Sequence, residues 1–320
     1  VLVRYLFAFV LSVCFLASNP WGFYAHKEIN YLACFTLPPE MFGFYKTNIS
    51  TIQELAVRAD QRRYAIESEA PRHYIDLDHY EQIVPIDTVP MYWDSAVAKF
   101  GEETLQSYGI VPWHILRVKS WLTYAMKNRD YEQIIKTSAD LGHYIADAHV
   151  PLHTTENYNG QMTDQVGIHG LWESRLPEIF ATDYDYFTGR AEYIDHPMQA
   201  VWAAVSESFA AKDSVLALER ELTLLMPNTK YSFETRGTTT VKVYSKEFST
   251  AYHIALNNMV ERRMKKAIYM VGSMWYTAWV DAGEPSLEFE LAQRLNLQDE
   301  VDSLQNLMRT SEIKGRMETH

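Results

Sequence analysis

The sequence predicts an all-α fold, a single large multi-helix domain with a short β hairpin or loop insertion and an appended C-terminal helix. Long windows keep helical periodicity, and the one clear β-branched run is Thr238-Thr239-Thr240-Val241-Lys242-Val243. No repeat, low-complexity tract or Gly/Ser-rich linker divides residues 21 to 282, so they read as one domain. With 320 residues and 47% apolar composition, the chain can fill a substantial core.

Residues 1 to 20 read as an export signal and predict a periplasmic or secreted protein. Arg4 supplies the charged region, Tyr5 to Ala17 an apolar stretch, and Ala17-Ser18-Asn19-Pro20 the small or turn-forming residues that follow. The apolar stretch is too short to span a bilayer. A buried N-terminal helix is the bland alternative, against which stand the missing capping signals and amphipathic period.

Pro112 sits where a first-turn proline belongs, and the stretch to Met126 carries an apolar face of Trp113, Leu116, Leu122 and Met126. Asp130 is placed to cap a helix from Tyr131 to Val150, which Pro151 stops. Residues His196 to Leu225 and Glu247 to Ala282 read as two further long helices, with the β-branched run between them. After Gly283-Glu284-Pro285 comes a charged tail, 283 to 320, in which Leu291, Leu295, Leu304 and Leu307 suggest the appended helix.

Lysines and arginines number 29 against 41 acids, a net charge of -12. This excludes the basic surface that tight non-specific duplex binding relies on. It leaves nucleic-acid substrates open, because a metal cluster brings its own positive charge. Two cysteines, Cys14 and Cys34, make no disulfide framework.

The most informative segment is Leu141-Gly142-His143-Tyr144-Ile145-Ala146-Asp147-Ala148-His149-Val150-Pro151-Leu152-His153. Positions four apart on a helix share a face, so His143 and Asp147 point the same way, opposite Ile134, Leu141 and Ile145. Such a pair can bind one metal ion, and His153, beyond the proline, can turn towards it from another backbone direction. A solvated His-Asp pair with an unrelated loop histidine fits the segment equally well. His149 falls on the apolar side and reads as a packed histidine. Asp140 reads either as an acceptor for a ligating imidazole or as a surface acid.

His169-Gly170-Leu171-Trp172-Glu173 repeats the four-residue spacing after a loop rich in Asn, Gly and Gln, and is expected to open a helix. Upstream lie Trp21-Gly22-Phe23-Tyr24-Ala25-His26, Arg58-Ala59-Asp60 and Arg72-His73-Tyr74-Ile75-Asp76. A chain without a thiol cluster must build zinc sites from His and Asp or Glu.

Taken in order, Trp-Gly-x-x-x-His, Ala-Asp, His-Tyr-Ile-Asp, His-x-x-x-Asp-x-x-x-Pro-Leu-His and His-x-x-x-Glu resemble the zinc-dependent phospholipase C family and its sister family of secreted single-strand-specific nucleases. The motifs span residues 21 to 173. The resemblance implies an all-α fold with a trinuclear zinc site. One zinc would use Asp60, His73, His143 and Asp147, and a second His153, His169 and Glu173. A third would use His26, a bridging Asp147, and the free amine and carbonyl of Trp21. Asp60 would orient or deprotonate the attacking water, against phospholipid or single-stranded nucleic acid. Pro20 departs from a signal-cleavage pattern, and cleavage after Ala17 would remove the Trp21 amine. The Trp21 to His26 spacing and Arg58-Ala59-Asp60 look nuclease-like, whereas Glu173 looks phospholipase-like.

Asp76, Asp78 and His79 fall outside the transferable pattern and read as structural, with a substrate-rim role open for His79 or Tyr80. Tyr74, Tyr158 and Trp172 read as core aromatics before they read as substrate contacts. A His-Asp-type phosphohydrolase is opposed by the absence of a His-Asp dipeptide, and a di-iron bundle by the absence of paired Glu-x-x-His motifs. A secreted protein that keeps zinc only structurally is the non-enzymatic alternative.

Overall fold

A computed structural model describes residues 23–236, 239–287 and 297–316. The export segment 1 to 20, Cys14, Trp21, Thr238, Leu291 and Leu295 lie outside the described residues. The fold is all-α as expected: helices account for nearly all regular structure, and the described residues add a two-stranded antiparallel sheet. No described helix is long and apolar enough to cross a membrane.

The centre of the molecule is the helix Tyr131–Ala148, packed against Val111–Lys127, Phe23–Ala33, Met259–Asp281 and Ile49–Leu55. Asp130 caps it, its Oδ1 accepting from the Gln133 amide at 3.2 Å. Its apolar face (Ile134, Leu141, Ile145) and its polar face (His143, Asp147) are both buried. Helix Phe23–Ala33 crosses it closely at Gly142, where a Cβ would lie 1.7 Å from Asn30 Oδ1. Asn30 Nδ2 also donates to the Ala139 carbonyl at 3.2 Å. The helix ends at Ala148, two residues earlier than expected. Pro151 then opens a 3₁₀ turn, Pro151–Thr154, that swings His153 back.

The expected helix Glu247 to Ala282 is two helices, Lys246–Ala255 and Met259–Asp281. Asn257 and Asn258 break it, with φ of 48° and 59° in the left-handed region that asparagine tolerates best after glycine. Helix Pro197–Leu225 follows the expected span to one residue. The β insertion is a hairpin, Tyr231–Arg236 with Thr239–Tyr244, in which Phe233 faces Lys242 and Tyr231 faces Tyr244. It is tied to the body where Lys230 Nζ meets Glu219 Oε1 at 2.7 Å and Arg175 Nη1 meets Glu234 Oε2 at 3.2 Å.

The C-terminal helix is Gln298–Thr310 and lies on the body. Leu297 and Val301 are buried, and Arg58 Nη1 donates to Glu300 Oε1 at 2.8 Å. Beyond it Ser311 to Arg316 runs back over the molecule, its Lys314 amide donating to the Arg63 carbonyl at 2.9 Å.

Candidate metal centre

The fold brings together eight of the nine predicted ligands: His26, Asp60, His73, His143, Asp147, His153, His169 and Glu173. Trp21 is the ninth. All eight are buried, and Asp60 is the most accessible at 7%. His26 comes from the first described helix, with its ring stacked on His143 at 4.1 Å between centroids. Asp60 stands in the short helix Arg58–Arg62, and His73 follows a 3₁₀ turn, Glu67–Arg72. His169 and Glu173 straddle the junction of a single α turn, Ile168–Gly170, and a π-helical turn, Leu171–Arg175. The helix expected to open at His169 therefore starts irregularly. Gly167, at φ 99°, turns the chain in, and the preceding loop is ordered by its own amides, Asn159 Oδ1 accepting from Gly167 N at 3.0 Å.

Four overlapping donor groups result, one of them His26, Asp60 and His143. In the first of the other three, Asp147 Oδ2 lies 3.0 Å from His73 Nδ1 and 3.3 Å from His143 Nε2, which are themselves 3.0 Å apart. Asp60 Oδ1 joins them at 3.6 Å from His73 Nδ1 and 3.7 Å from His143 Nε2. Ligands at zinc-like distances of 2.0–2.2 Å stand about 3.3–3.6 Å apart in a tetrahedron. The observed separations bracket that edge. In the second group Glu173 Oε2 lies 3.2 Å from His153 Nε2 and 2.8 Å from His169 Nε2. In the third, His26 Nε2 lies 3.4 Å from Asp147 Oδ1 and 3.1 Å from Glu173 Oε1. The sequence suggested one shared carboxylate. Here Asp147 and Glu173 each turn one oxygen to His26 and the other to a different pair of histidines.

The donor chemistry fits a cation. Nδ1 of His143, His153 and His169 faces the carbonyls of Ala56, His73 and Tyr158 at 2.9, 2.8 and 3.2 Å. A carbonyl can only accept, so each Nδ1 carries the hydrogen, and in a neutral ring Nε2 is then a lone pair. Those lone pairs face carboxylate oxygens, an arrangement that is repulsive until a proton or a metal ion stands between them. Protonation is opposed by burial, which holds His73 well below its usual value and lowers His143 to about 3. The neighbouring His143 adds to the effect on His73, and His26 to that on His143. Burial alone would raise Glu173, but positive character at His153, and hydrogen bonding with His153, His169 and His26, outweigh it and hold its carboxyl well below the usual range. With Nδ1 already donating to carbonyls, that positive character is a proton or a metal ion between the rings and the carboxylate. Neutral imidazoles beside ionised carboxylates are the state that binds a metal ion.

Other predicted residues sit elsewhere. His149 stays with the core, Nδ1 donating to the Ile145 carbonyl at 2.7 Å, and belongs to none of the donor groups. Asp140 is neither a partner of a ligating imidazole nor a surface acid: it accepts from Arg58 Nη2 at 2.6 Å and from Arg62 Nη1 at 3.1 Å. Arg58 and Arg62, four apart on one helix face, present both guanidiniums to it. Asp78 accepts from Thr155 Oγ1 at 2.6 Å, and His79 stacks on Tyr108. Tyr80 is fully buried, which removes it from any substrate rim. Trp172 is a core aromatic that lines one cavity with Ala25, Ile29 and Met264.

Sequence reasoning passed over two residues. Glu69 is fully buried, its Oε1 accepting from Arg62 Nη2 at 3.0 Å and lying 3.9 Å from His73 Nε2. Arg63, also fully buried, brings Nη1 to 3.8 Å from Asp60 Oδ1. The only signal for Arg63 was its place three residues after Asp60. No protein-family model matches this chain, and it matches no curated protein.

Proposed function

We propose that this chain is a zinc-dependent phosphoester hydrolase, phospholipase C-like in substrate, acting outside the cytoplasm. The observation that carries the reading is the sharing of Asp147 and Glu173, which makes the buried donor groups contiguous. Closely spaced zinc ions, when bound, polarise phosphoryl oxygens and lower the pKa of water towards neutrality. Asp60, the most accessible carboxylate of the cluster, is the group placed to hold a proton of the attacking water at a carboxylate oxygen. Arg63, fully buried close beside that carboxylate, adds fixed positive charge next to it. The other ligands orient the cluster and exclude bulk water.

The natively purified chain is expected to contain two to three zinc equivalents and to hydrolyse bis(4-nitrophenyl) phosphate in a chelator-sensitive way. Asp60→Asn should lower the rate about 10²-fold or more, in the range typical of positioned acid–base groups. Elemental analysis without zinc would end the reading. Phosphatidylcholine and phosphatidylinositol vesicles, set against single-stranded DNA and RNA, decide the substrate. The net charge of -12 favours the lipids, because strand-tracking nucleases line their grooves with Lys and Arg. Release of 5′-nucleotides with no diacylglycerol would make the chain a nuclease on the same site.

A further inference from the structure

In the C-terminal tail, Arg316 makes a contact that neither the metal centre nor the core requires. Arg316 lies between two tyrosine rings, its guanidinium carbon 4.2 Å from the centroid of Tyr74 and 3.6 Å from that of Tyr158. Its Nη1 donates to Asp76 Oδ1 at 2.7 Å and its Nη2 to the Thr155 carbonyl at 2.8 Å. Two aromatic rings, a carboxylate and a carbonyl are the kinds of partner that a guanidinium takes. These walls belong to the metal centre's surroundings. Tyr74 follows His73, the Tyr158 carbonyl accepts from His169 Nδ1, and the Ile75 amide donates to the His153 carbonyl at 2.9 Å.

The residues before Arg316 in this C-terminal strap bond the segment that follows Asp60. Lys314 donates through its amide to the Arg63 carbonyl and through Nζ to the Ala65 carbonyl, both at 2.9 Å. Arg63 Nη2 donates to the Arg316 carbonyl, while its Nη1 faces Asp60. The segment Lys314 to Arg316 thus reaches from the Asp60 side to the His169 side of the donor cluster.

We propose that Tyr74, Asp76, Tyr158 and the Thr155 carbonyl form a guanidinium-binding clamp, and that Arg316 fills it in cis so that the C-terminal strap closes the metal centre. The clamp takes a guanidinium whatever reaction the centre runs. The closure rests on the centre holding a metal ion.

The test uses the full-length chain, with methylguanidinium as probe. Arg316→Ala is expected to bind it by calorimetry at least about tenfold more tightly than the unmodified protein, whose clamp is filled. Adding Tyr158→Leu to Arg316→Ala should abolish the gain. Equal binding by Arg316→Ala and the unmodified chain would overturn the clamp. In the second arm EDTA strips zinc from the loaded protein, and Arg316→Ala and, separately, Tyr158→Leu should each speed the loss about tenfold. These two variants unseat the strap from opposite sides, so a folding defect in one leaves the other decisive. Unchanged stripping rates in both would overturn the closure. A chain that binds no zinc would end the metal reading and the closure while the calorimetric arm still decides the clamp.

Discussion

Asp147 is the residue at which the proposed metal centre can be tested most sharply, because substituting it should change sign with metal loading. Asp147→Asn keeps the volume but replaces one carboxylate oxygen with an N–H donor. Whichever way the amide turns, that donor faces either the His73–His143 pair or His26. Loss of supporting partners alone weakens metal binding 10- to 100-fold. A coordinating carboxylate should therefore count for about 100-fold at each of the two groups it touches, or about 2.7 kcal/mol per group. In the zinc-loaded protein Asp147→Asn is expected to lose more than one zinc equivalent and about 5 kcal/mol of stability. In the metal-free protein the same change removes a charge that is 1% exposed, and should be neutral or stabilising by about 1–3 kcal/mol. Urea unfolding with and without chelator, beside elemental analysis, reads both states. His149→Ala is the control on the other face of the helix. It loses the hydrogen bond to the Ile145 carbonyl and some packing, about 1–3 kcal/mol in both states, and should keep its zinc. Equal zinc loss in the two variants, or a destabilisation by Asp147→Asn that ignores the chelator, would refute the reasoning.

Gly142→Ala should destabilise the fold by about 1–3 kcal/mol despite alanine's better helix propensity, because the new methyl meets the buried Asn30 amide and displaces it from its hydrogen bond to the Ala139 carbonyl. A melting temperature equal to that of the unmodified chain would contradict this close approach. His114 offers a test away from the metal. Burial, aided by Arg72 and Arg117, lowers its pKa to about 3, against about 6.5 when unfolded. Between those values the unfolded chain binds a proton that the folded chain does not, so stability falls as pH falls, by up to about 1.4 kcal/mol per pH unit from this residue. His114→Phe should flatten the urea-midpoint profile between pH 6 and 4 by that slope. An unchanged profile would show that the ring titrates normally.

How much of this was legible depends on which physical quantity a sequence pattern encodes. Periodicity encodes direction about a helix's own axis, so it placed His143 and Asp147 together and His149 apart, and capping chemistry found Asp130. The break in the long C-terminal helix was written in Asn257-Asn258, because asparagine favours caps and turns over helix interiors, but that preference is weak and tertiary packing routinely overrides it. Asp140 was misread because its partners, Arg58 and Arg62, lie some eighty residues away. The shared role of Glu173 and the strap held by Arg316 depend in the same way on contacts across the chain. The ambiguity that periodicity could not resolve was whether the His143–Asp147 face is solvated. The fold closes that face under His26, Asp60, His73 and Glu173, and in doing so gathers three carboxylates that are all less than 10% exposed. Buried ionised carboxylates beside neutral imidazoles need compensating positive charge, far more than the same groups in water would. Burial is therefore what turns a motif that also fits a surface pair into a candidate metal centre.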